Sequence, residues 1–138
     1  MAGKTLAEKM KLSSGMRAAV VKAPENYLKE LSAPRDVKLS STLDAGPFDW
    51  LQIFILNSRE LKTLVPKMKT ALSPTGLVWL TFPKGTSGIQ TDLTRDTGWE
   101  SLQPLDLKWV TLVSVNETWS AFAMRPYKKG EKKQTFRL

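Results

Sequence analysis

The chain contains no cysteine and no histidine. Without cysteine there can be no disulfide, no thiolate nucleophile and no cysteine-based zinc site. Without histidine, the commonest general base and the commonest metal ligand of proteins are also missing. Any catalysis would therefore have to rely on Asp, Glu, Lys, Tyr, Ser or Thr side chains, or on a cofactor, and no metal site is predicted.

Long apolar segments are absent as well. No apolar run reaches the roughly 18 residues that are needed to cross a bilayer. The first ten residues carry no apolar core of the length found in signal peptides. We therefore expect a cytoplasmic protein that makes no contact with a membrane.

The 138 residues and 15.5 kDa of the chain favour a single domain. A hydrophobic content of 41% and five tryptophans are typical of a globular protein. The formal net charge is +8, and much of it lies near the end of the sequence. We predict a folded domain over residues 1–126 and a basic tail over residues 127–138.

The basic tail could bind nucleic acid or another acidic surface, because clustered lysines attract phosphates. The candidate residues for nucleic-acid binding are Lys128, Lys129, Lys132 and Lys133. The alternative is a solvated end that only improves solubility. Outside the tail, basic residues do not alternate with aromatic ones as they would on an RNA-binding sheet.

Strand-like and helix-like segments alternate along the chain. Apolar runs predict strands at residues 17–23, 37–41, 48–56, 77–82, 108–115 and 118–125. Helices are predicted at residues 6–12, from Pro24 with Leu28 and Leu31 buried, and at residues 91–102. A further helix, capped by Asn57, is predicted to extend to Leu72. Residues 73–76 are predicted to form a turn. The short Asn116-Glu117 connection makes the last two strands an antiparallel hairpin.

This order predicts a single-domain α/β fold with three layers, in which a mostly parallel sheet ends in a C-terminal antiparallel hairpin. Over residues 13–126 it resembles a compact, Rossmann-like class I methyltransferase fold. The resemblance is carried by the first strand at residues 15–21 and by the strand, helix and strand at residues 48–54 and 72–79. The chain also resembles a family of small bacterial domains of this type whose function is not established. The matching segments are residues 23–27, 82–85, 91–96 and 118–121.

The methyltransferase resemblance implies S-adenosylmethionine as a cofactor, held at a glycine-rich turn after the first strand. In this chain that turn is Pro24-Glu-Asn-Tyr27 and contains no glycine. Proline fixes φ and removes a donor, and the neighbouring side chains would crowd the slot. After the second strand, Asp44 is the only acidic residue near enough to replace the usual ribose ligand. We expect no cofactor; the alternative is a diverged methyltransferase that still binds it.

An anion site is the second candidate, because loops that follow parallel strands meet at one edge of a sheet. A helix start near Thr91 would add free N–H groups to such a site. The candidate ligand-binding residues are Glu25, Asn26, Asn57, Arg59, Lys84, Gly85, Thr86, Ser87, Asp92 and Arg95. The alternative is a loop whose polar residues cap a helix, with Arg95 paired to a neighbouring aspartate.

Two further patterns are more typical of structure than of function. Asp92, Asp96 and Glu100 recur every fourth residue and would share one helix face, which is more often solvated than catalytic. The tryptophans mostly fall in predicted strands, where they are typical of a core.

The leading hypothesis is a domain that is not an active methyltransferase. It would bind a small anionic ligand or a protein partner at the carboxyl edge of its sheet. The alternatives are a diverged S-adenosylmethionine-dependent methyltransferase and a nucleic-acid-associated protein that uses its tail.

Overall fold

A computed structural model describes residues 5–94 and 97–132 of the chain. The helices are α1 (Leu6–Lys9), α2 (Tyr27–Leu31), α3 (Ser58–Ala71) and a 3₁₀ helix (Glu100–Leu105). The strands are β1 (Ala18–Val21), β2 (Leu39–Ser40), β3 (Phe48–Phe54), β4 (Leu72–Pro83), β5 (Leu107–Ser114) and β6 (Trp119–Pro126). None of the helices in these two ranges is long and apolar enough to span a membrane.

The six strands form one sheet in the order β2-β1-β3-β4-β6-β5. Strands β2, β1, β3 and β4 are parallel, and β6 lies antiparallel between β4 and β5. The predicted fold is therefore confirmed as a mostly parallel sheet with a C-terminal hairpin. Strand β2 pairs with one edge of β1, and β3 pairs with the other edge. The topological switch point consequently lies between the carboxyl ends of β1 and β3.

Helix α1 is attached to the sheet through the carbonyl of Met10. Its first turn is closed by a capping box between Thr5 and Glu8. At its other end, the indole N–H groups of Trp50 and Trp79 both donate to the Met10 carbonyl, each at 2.8 Å. Both tryptophans are fully buried in strands, as predicted.

Helix α3 covers the opposite face of the sheet and confirms its sequence prediction. The side chain of Asn57 accepts a 2.9 Å hydrogen bond from the Glu60 N–H and so caps the helix. Leu61, Val65 and Met68 form a buried stripe at helical spacing. This stripe packs on the apolar side chains of β3 and β4.

The helix predicted at residues 91–102 is wrong. Among the residues of this region that the structure describes, only the 3₁₀ helix forms, because side-chain oxygens take over the amides upstream of it. The Thr91 hydroxyl accepts from Leu93 N–H at 3.0 Å, and the Thr94 hydroxyl accepts from Thr97 N–H at 3.1 Å. Such local bonds compete with helix formation. Gly98, with φ of +98°, adds a left-handed turn.

Two smaller expectations are also corrected. Helix α2 begins at Tyr27, not at Pro24, so Tyr27 takes the buried position and Leu28 is 51% exposed. The segment 73–76 is not a separate turn but an irregular part of β4. There the pairing with β3 jumps from Phe48↔Leu72 to Trp50↔Leu77.

Candidate functional site

The switch point between β1 and β3 is bridged by an ion pair. Lys22 follows β1 with a left-handed backbone (φ of +61°), and its Nζ lies 3.6 Å from Oε2 of Glu60 in the first turn of α3. The other carboxylate oxygen of Glu60 accepts from the Leu56 N–H at 3.3 Å. The pair is half exposed on the lysine side and contributes little stability. Its position nevertheless joins the two loops where a ligand of this fold would enter.

On the face of the sheet opposite α3, Tyr27 packs beside β3. Its hydroxyl donates to Oε1 of Gln52 at 2.6 Å, and Nε2 of Gln52 donates to the Thr81 hydroxyl at 3.1 Å. Gln52 and Thr81 are fully buried in the centre of the sheet. Burial raises the pKa of Tyr27, so the phenol stays protonated and remains the donor.

The ring of Tyr27 is also part of a cluster of edge-to-face aromatic rings at the carboxyl edge of the sheet. It meets Phe54 edge-on with ring centroids 4.7 Å apart, and Phe54 meets Trp119 in the same way at 5.1 Å. All three rings are less than 10% exposed. The crevice on this face of the sheet is therefore packed with the chain's own side chains.

The amino terminus of α3 already holds an anion, and that anion is Asp92. The carboxylate accepts from the Ser58 N–H at 2.8 Å and from the Ser58 hydroxyl. These bonds lower the pKa of Asp92. The helix start expected near Thr91 does not form, and at the start of α3 the Ser58 amide is already taken by Asp92. The anion site itself stays a prediction.

Lys84 turns away from the switch point and toward the β5–β6 connection. Its Nζ lies 2.6 Å from the Ser114 hydroxyl, and its N–H donates to the Thr118 carbonyl at 2.8 Å. The Lys84 carbonyl accepts from Ser87 N–H at 3.0 Å, which closes a turn through the exposed Gly85 and Thr86. A β-carbon added at Gly85 would meet nothing within 4 Å, so no packing in the protein requires glycine there.

The predicted ligand-binding residues thus separate into groups. Asn57, Arg59 and Asp92 meet around the start of α3, whereas Lys84, Gly85, Thr86 and Ser87 lie by the hairpin. Glu25 and Asn26 are exposed beside α2, and the Asn26 side chain does not cap that helix. Arg95 and Asp96 lie outside the described residues, so the predicted pairing of Arg95 stays a prediction.

An open groove of about 510 Å³ lies beside the start of α3. It is lined by Ser58, Arg59, Lys62, Gly98, Glu100 and Ser101. Within the described ranges, neither cation of the groove has an ion-pair partner. The Ser101 hydroxyl oxygen is shielded from solvent and has no hydrogen-bond partner there either.

Of the predicted ligand-binding residues that the structure describes, only Arg59 lines this groove. Lys62 stands three residues further along α3, a spacing that places both side chains on one helix face. This spacing could have identified Lys62 as a partner of Arg59. No sequence pattern indicates that Glu100 and Ser101 of the 3₁₀ helix form the opposite wall of the groove.

The candidate residues of the basic tail are partly described. Lys128, Lys129 and Lys132 are exposed, and Lys133 lies outside the described residues. Residues 128–131 form a turn that is bound to the hairpin through Glu131.

Solved structures with a similar architecture include several methyltransferases. A ribosomal protein methylase from Lactobacillus delbrueckii subsp. bulgaricus has a TM-score of 0.59 at 16% identity, covering 88% of this chain and 77% of its own. A SAM-dependent methyltransferase from Aquifex aeolicus has a TM-score of 0.56 at 14% identity, covering 85% of each chain.

An N-methyltransferase from Bradyrhizobium japonicum has a TM-score of 0.54 at 17% identity, covering 90% of this chain and 94% of its own. No protein-family model matches the sequence, and the search of curated proteins gives no match. At these identities the likeness establishes the fold, a methyltransferase-like Rossmann fold, and leaves the chemistry to the site.

The residues at the switch point do not fit the cofactor that this fold implies. The turn after β1 has no glycine, and Asn26 adopts a left-handed φ of +67° without one. Tyr27 fills the space beneath the turn with 2% of its surface exposed. Gln52 and Thr81, the buried polar groups below it, are already hydrogen-bonded within the protein.

Proposed function

We propose that this chain is a binding domain with a methyltransferase-like fold that does not transfer methyl groups. Its ligand is a small anion held in the groove beside the start of α3. The proposal rests on a difference between the switch point and the groove beside α3, which lie at the same carboxyl edge of the sheet. The switch point is filled by Tyr27 and bridged by the Lys22–Glu60 pair, whereas Arg59 and Lys62 face open space without an acidic partner in the described ranges.

The lining of the groove indicates the chemistry of the ligand. Arg59 and Lys62 supply cationic donors, and the guanidinium of arginine suits the oxygens of a phosphate or a carboxylate. Glu100 on the opposite wall would accept a hydrogen bond from a hydroxyl or an amine. A small phosphate ester that carries free hydroxyls satisfies both walls, and the groove volume lies within the usual range of about 300–1,000 Å³ for ligand sites.

The position of Asp92 limits how the groove can hold its ligand. Its carboxylate occupies the amide of Ser58 at the start of α3, so a ligand must be held by the side chains and not by that helix terminus. We therefore expect modest affinity that depends on Arg59 and Lys62 and decreases with salt, because both groups are exposed to solvent.

The alternative function is that of a diverged methyltransferase, and the likeness of the fold supports it. It requires Tyr27 to leave its place so that the cofactor can reach the end of β1. Such a movement would separate the Tyr27 hydroxyl from Gln52 and leave a buried carbonyl oxygen without its donor.

Thermal unfolding in the presence of inorganic phosphate and of glycerol phosphate tests the groove. A ligand at 100 times its Kd stabilises a protein by about 2.7 kcal/mol, or roughly 5–10 °C in Tm for a chain of this size. We expect Arg59→Gln combined with Lys62→Gln to weaken binding by about tenfold or more, because each charge-assisted hydrogen bond contributes roughly 1.5–3 kcal/mol.

The matched control replaces two other exposed lysines, Lys29→Gln and Lys67→Gln, and so changes the net charge by the same amount. This control should bind phosphate esters as the wild type does. If both double variants lose binding equally, the effect is one of net charge and the groove is not the site. If neither ligand shifts the Tm of the wild type at any concentration up to tens of millimolar, the anion-binding proposal is wrong.

A further inference from the structure

The described part of the basic tail is held in place by one carboxylate. Oε1 of Glu131 accepts from Nη1 of Arg125 at 2.9 Å, and Oε2 accepts from Nη2 of Arg125 and from Nζ of Lys108, each at 2.7 Å. Arg125 belongs to β6 and Lys108 to β5, so Glu131 joins the tail to both strands of the hairpin. A bidentate guanidinium–carboxylate contact with a second cation is a strong and directional arrangement.

The same carboxylate also closes a turn within the tail. Oε1 of Glu131 accepts from the Lys128 N–H at 2.9 Å, and the Lys128 carbonyl accepts from the Glu131 N–H at 3.0 Å. Gly130 supplies the left-handed φ of +79° that this turn needs. These contacts hold the pKa of Glu131 well below its usual value, so the carboxylate remains ionised at every physiological pH. We call residues 127–132 the basic turn.

The contacts of Glu131 change what the basic turn presents to solvent. The only acidic side chain of the turn is used internally, with 20% of its surface exposed. Lys128, Lys129 and Lys132 remain exposed around it. Together with Lys108 and Arg125, the surface carries five cations against one carboxylate. Because the turn is already ordered, a polyanion would not have to order it on binding.

We propose that the basic turn is a preformed contact site for the phosphate backbone of nucleic acid. The turn carries lysines and a single, half-buried aromatic residue, Tyr127, and no large aliphatic side chain. It therefore lacks the continuous apolar face of a segment that enters a bilayer, which favours nucleic acid over a lipid surface. Base reading is not part of the proposal, because the turn has only one aromatic side chain, the half-buried Tyr127, and Trp50, Trp79 and Trp119 are buried in the sheet. Recognition would rest on phosphate contacts and would not depend on base sequence.

Fluorescence anisotropy with a labelled duplex DNA of 20 base pairs, titrated at several salt concentrations, tests this site in the full chain. Each lysine–phosphate contact contributes about 0.9 to the slope of log K against log salt concentration on duplex DNA. Replacing Lys128, Lys129 and Lys132 with glutamine should therefore weaken binding and reduce the slope by about 2.7. The control triple replacement, Lys11→Gln, Lys29→Gln and Lys67→Gln, removes three exposed charges from the folded body and should leave the slope nearly unchanged.

A second variant distinguishes the effect of the turn's ordered structure on DNA binding from the effect of its positive charge. Glu131→Ala adds one unit of positive charge but removes the side-chain hydrogen bonds that tie the turn to Arg125, Lys108 and the Lys128 N–H. A preformed site predicts weaker binding by this variant, whereas an unstructured tail that acts through charge alone predicts tighter binding. Tighter binding by Glu131→Ala would overturn the proposal, and so would equal slope changes in the two triple variants. Binding to vesicles of anionic phospholipid without binding to DNA would also overturn it.

Discussion

Tyr27 is the residue whose position most constrains the function of this chain. It stands at the first position of α2, directly after the turn that follows β1, and reaches under that turn to Gln52 in the middle of β3. A glycine-rich turn would leave this space open for a ligand, whereas here a phenol fills it. The hydroxyl completes a chain of buried hydrogen bonds that ends at Thr81.

Replacing Tyr27 with phenylalanine tests this chain of bonds. The variant keeps the ring but leaves Oε1 of Gln52 buried without its donor, so we expect a loss of about 1–3 kcal/mol in the free energy of unfolding. Urea denaturation measures it. In the triple variant Tyr27→Phe, Gln52→Leu and Thr81→Val, all three polar side chains of the network are replaced by apolar ones, and part of the loss should be recovered. A loss of less than about 0.5 kcal/mol in the single variant would mean that the network contributes little.

Single residues also show where sequence reasoning reaches its limit. Asn57 was assigned correctly as a cap because capping depends only on residues three positions apart. Leu28 was wrongly assigned to the core, because an apolar residue near a helix start looks the same whether the helix begins at Pro24 or at Tyr27. The contact of Lys84 with Ser114 joins residues 30 positions apart, so no local sequence pattern predicts it.

At the scale of elements, the connection between β4 and β5 is the part that departs most from the expected fold. In place of a helix it forms hydroxyl-stabilised turns followed by the short 3₁₀ helix. Trp99 anchors it by packing against Phe82 and Phe122, while its indole N–H donates to the Thr94 carbonyl at 2.7 Å. Asp92 ties the connection to α3.

The Asp92 tie can be tested by Asp92→Asn. The amide is a weaker acceptor than the carboxylate, so we expect faster hydrogen exchange at Ser58 and at the amides of residues 85–94. Because the pKa of Asp92 lies below its ordinary value of 3.8, the wild-type tie is present above that pH and is lost as the pH falls through the lower, folded-state pKa. Asp44→Asn, at an exposed loop position, is the control. Equal exchange in wild type and Asp92→Asn at neutral pH would contradict the tie.

The elements that sequence predicted well share one property. β3 and α3 are long, and their apolar residues follow a clear period, so burial alone determines them. The segment 91–102 has a helical spacing of acidic residues, but threonine hydroxyls and Gly98 decide its conformation locally. Where side chains compete with the backbone for amides, charge spacing does not predict the structure.

At the scale of the whole molecule, the architecture follows from the order of strands and helices, and the chemistry does not. The apolar run at residues 18–21 and the largely apolar segment at residues 48–54 predicted a parallel sheet, and the short connection after β5 predicted the hairpin. The fold is that of methyltransferases, but the residues at its switch point close the place where their cofactor would enter. The groove beside α3 requires two elements whose approach only the folded chain reveals.

A calorimetric titration of the wild-type chain with S-adenosylmethionine tests the central claim most directly. Because Tyr27, its hydrogen bonds and the Lys22–Glu60 pair occupy the switch point, we predict no binding at cofactor concentrations up to about 1 mM, which corresponds to a binding free energy weaker than about −4 kcal/mol. Glycerol phosphate titrated under the same conditions should bind. Saturable binding of S-adenosylmethionine with a micromolar Kd would contradict the account, since the cofactor could then enter a crevice that we describe as filled.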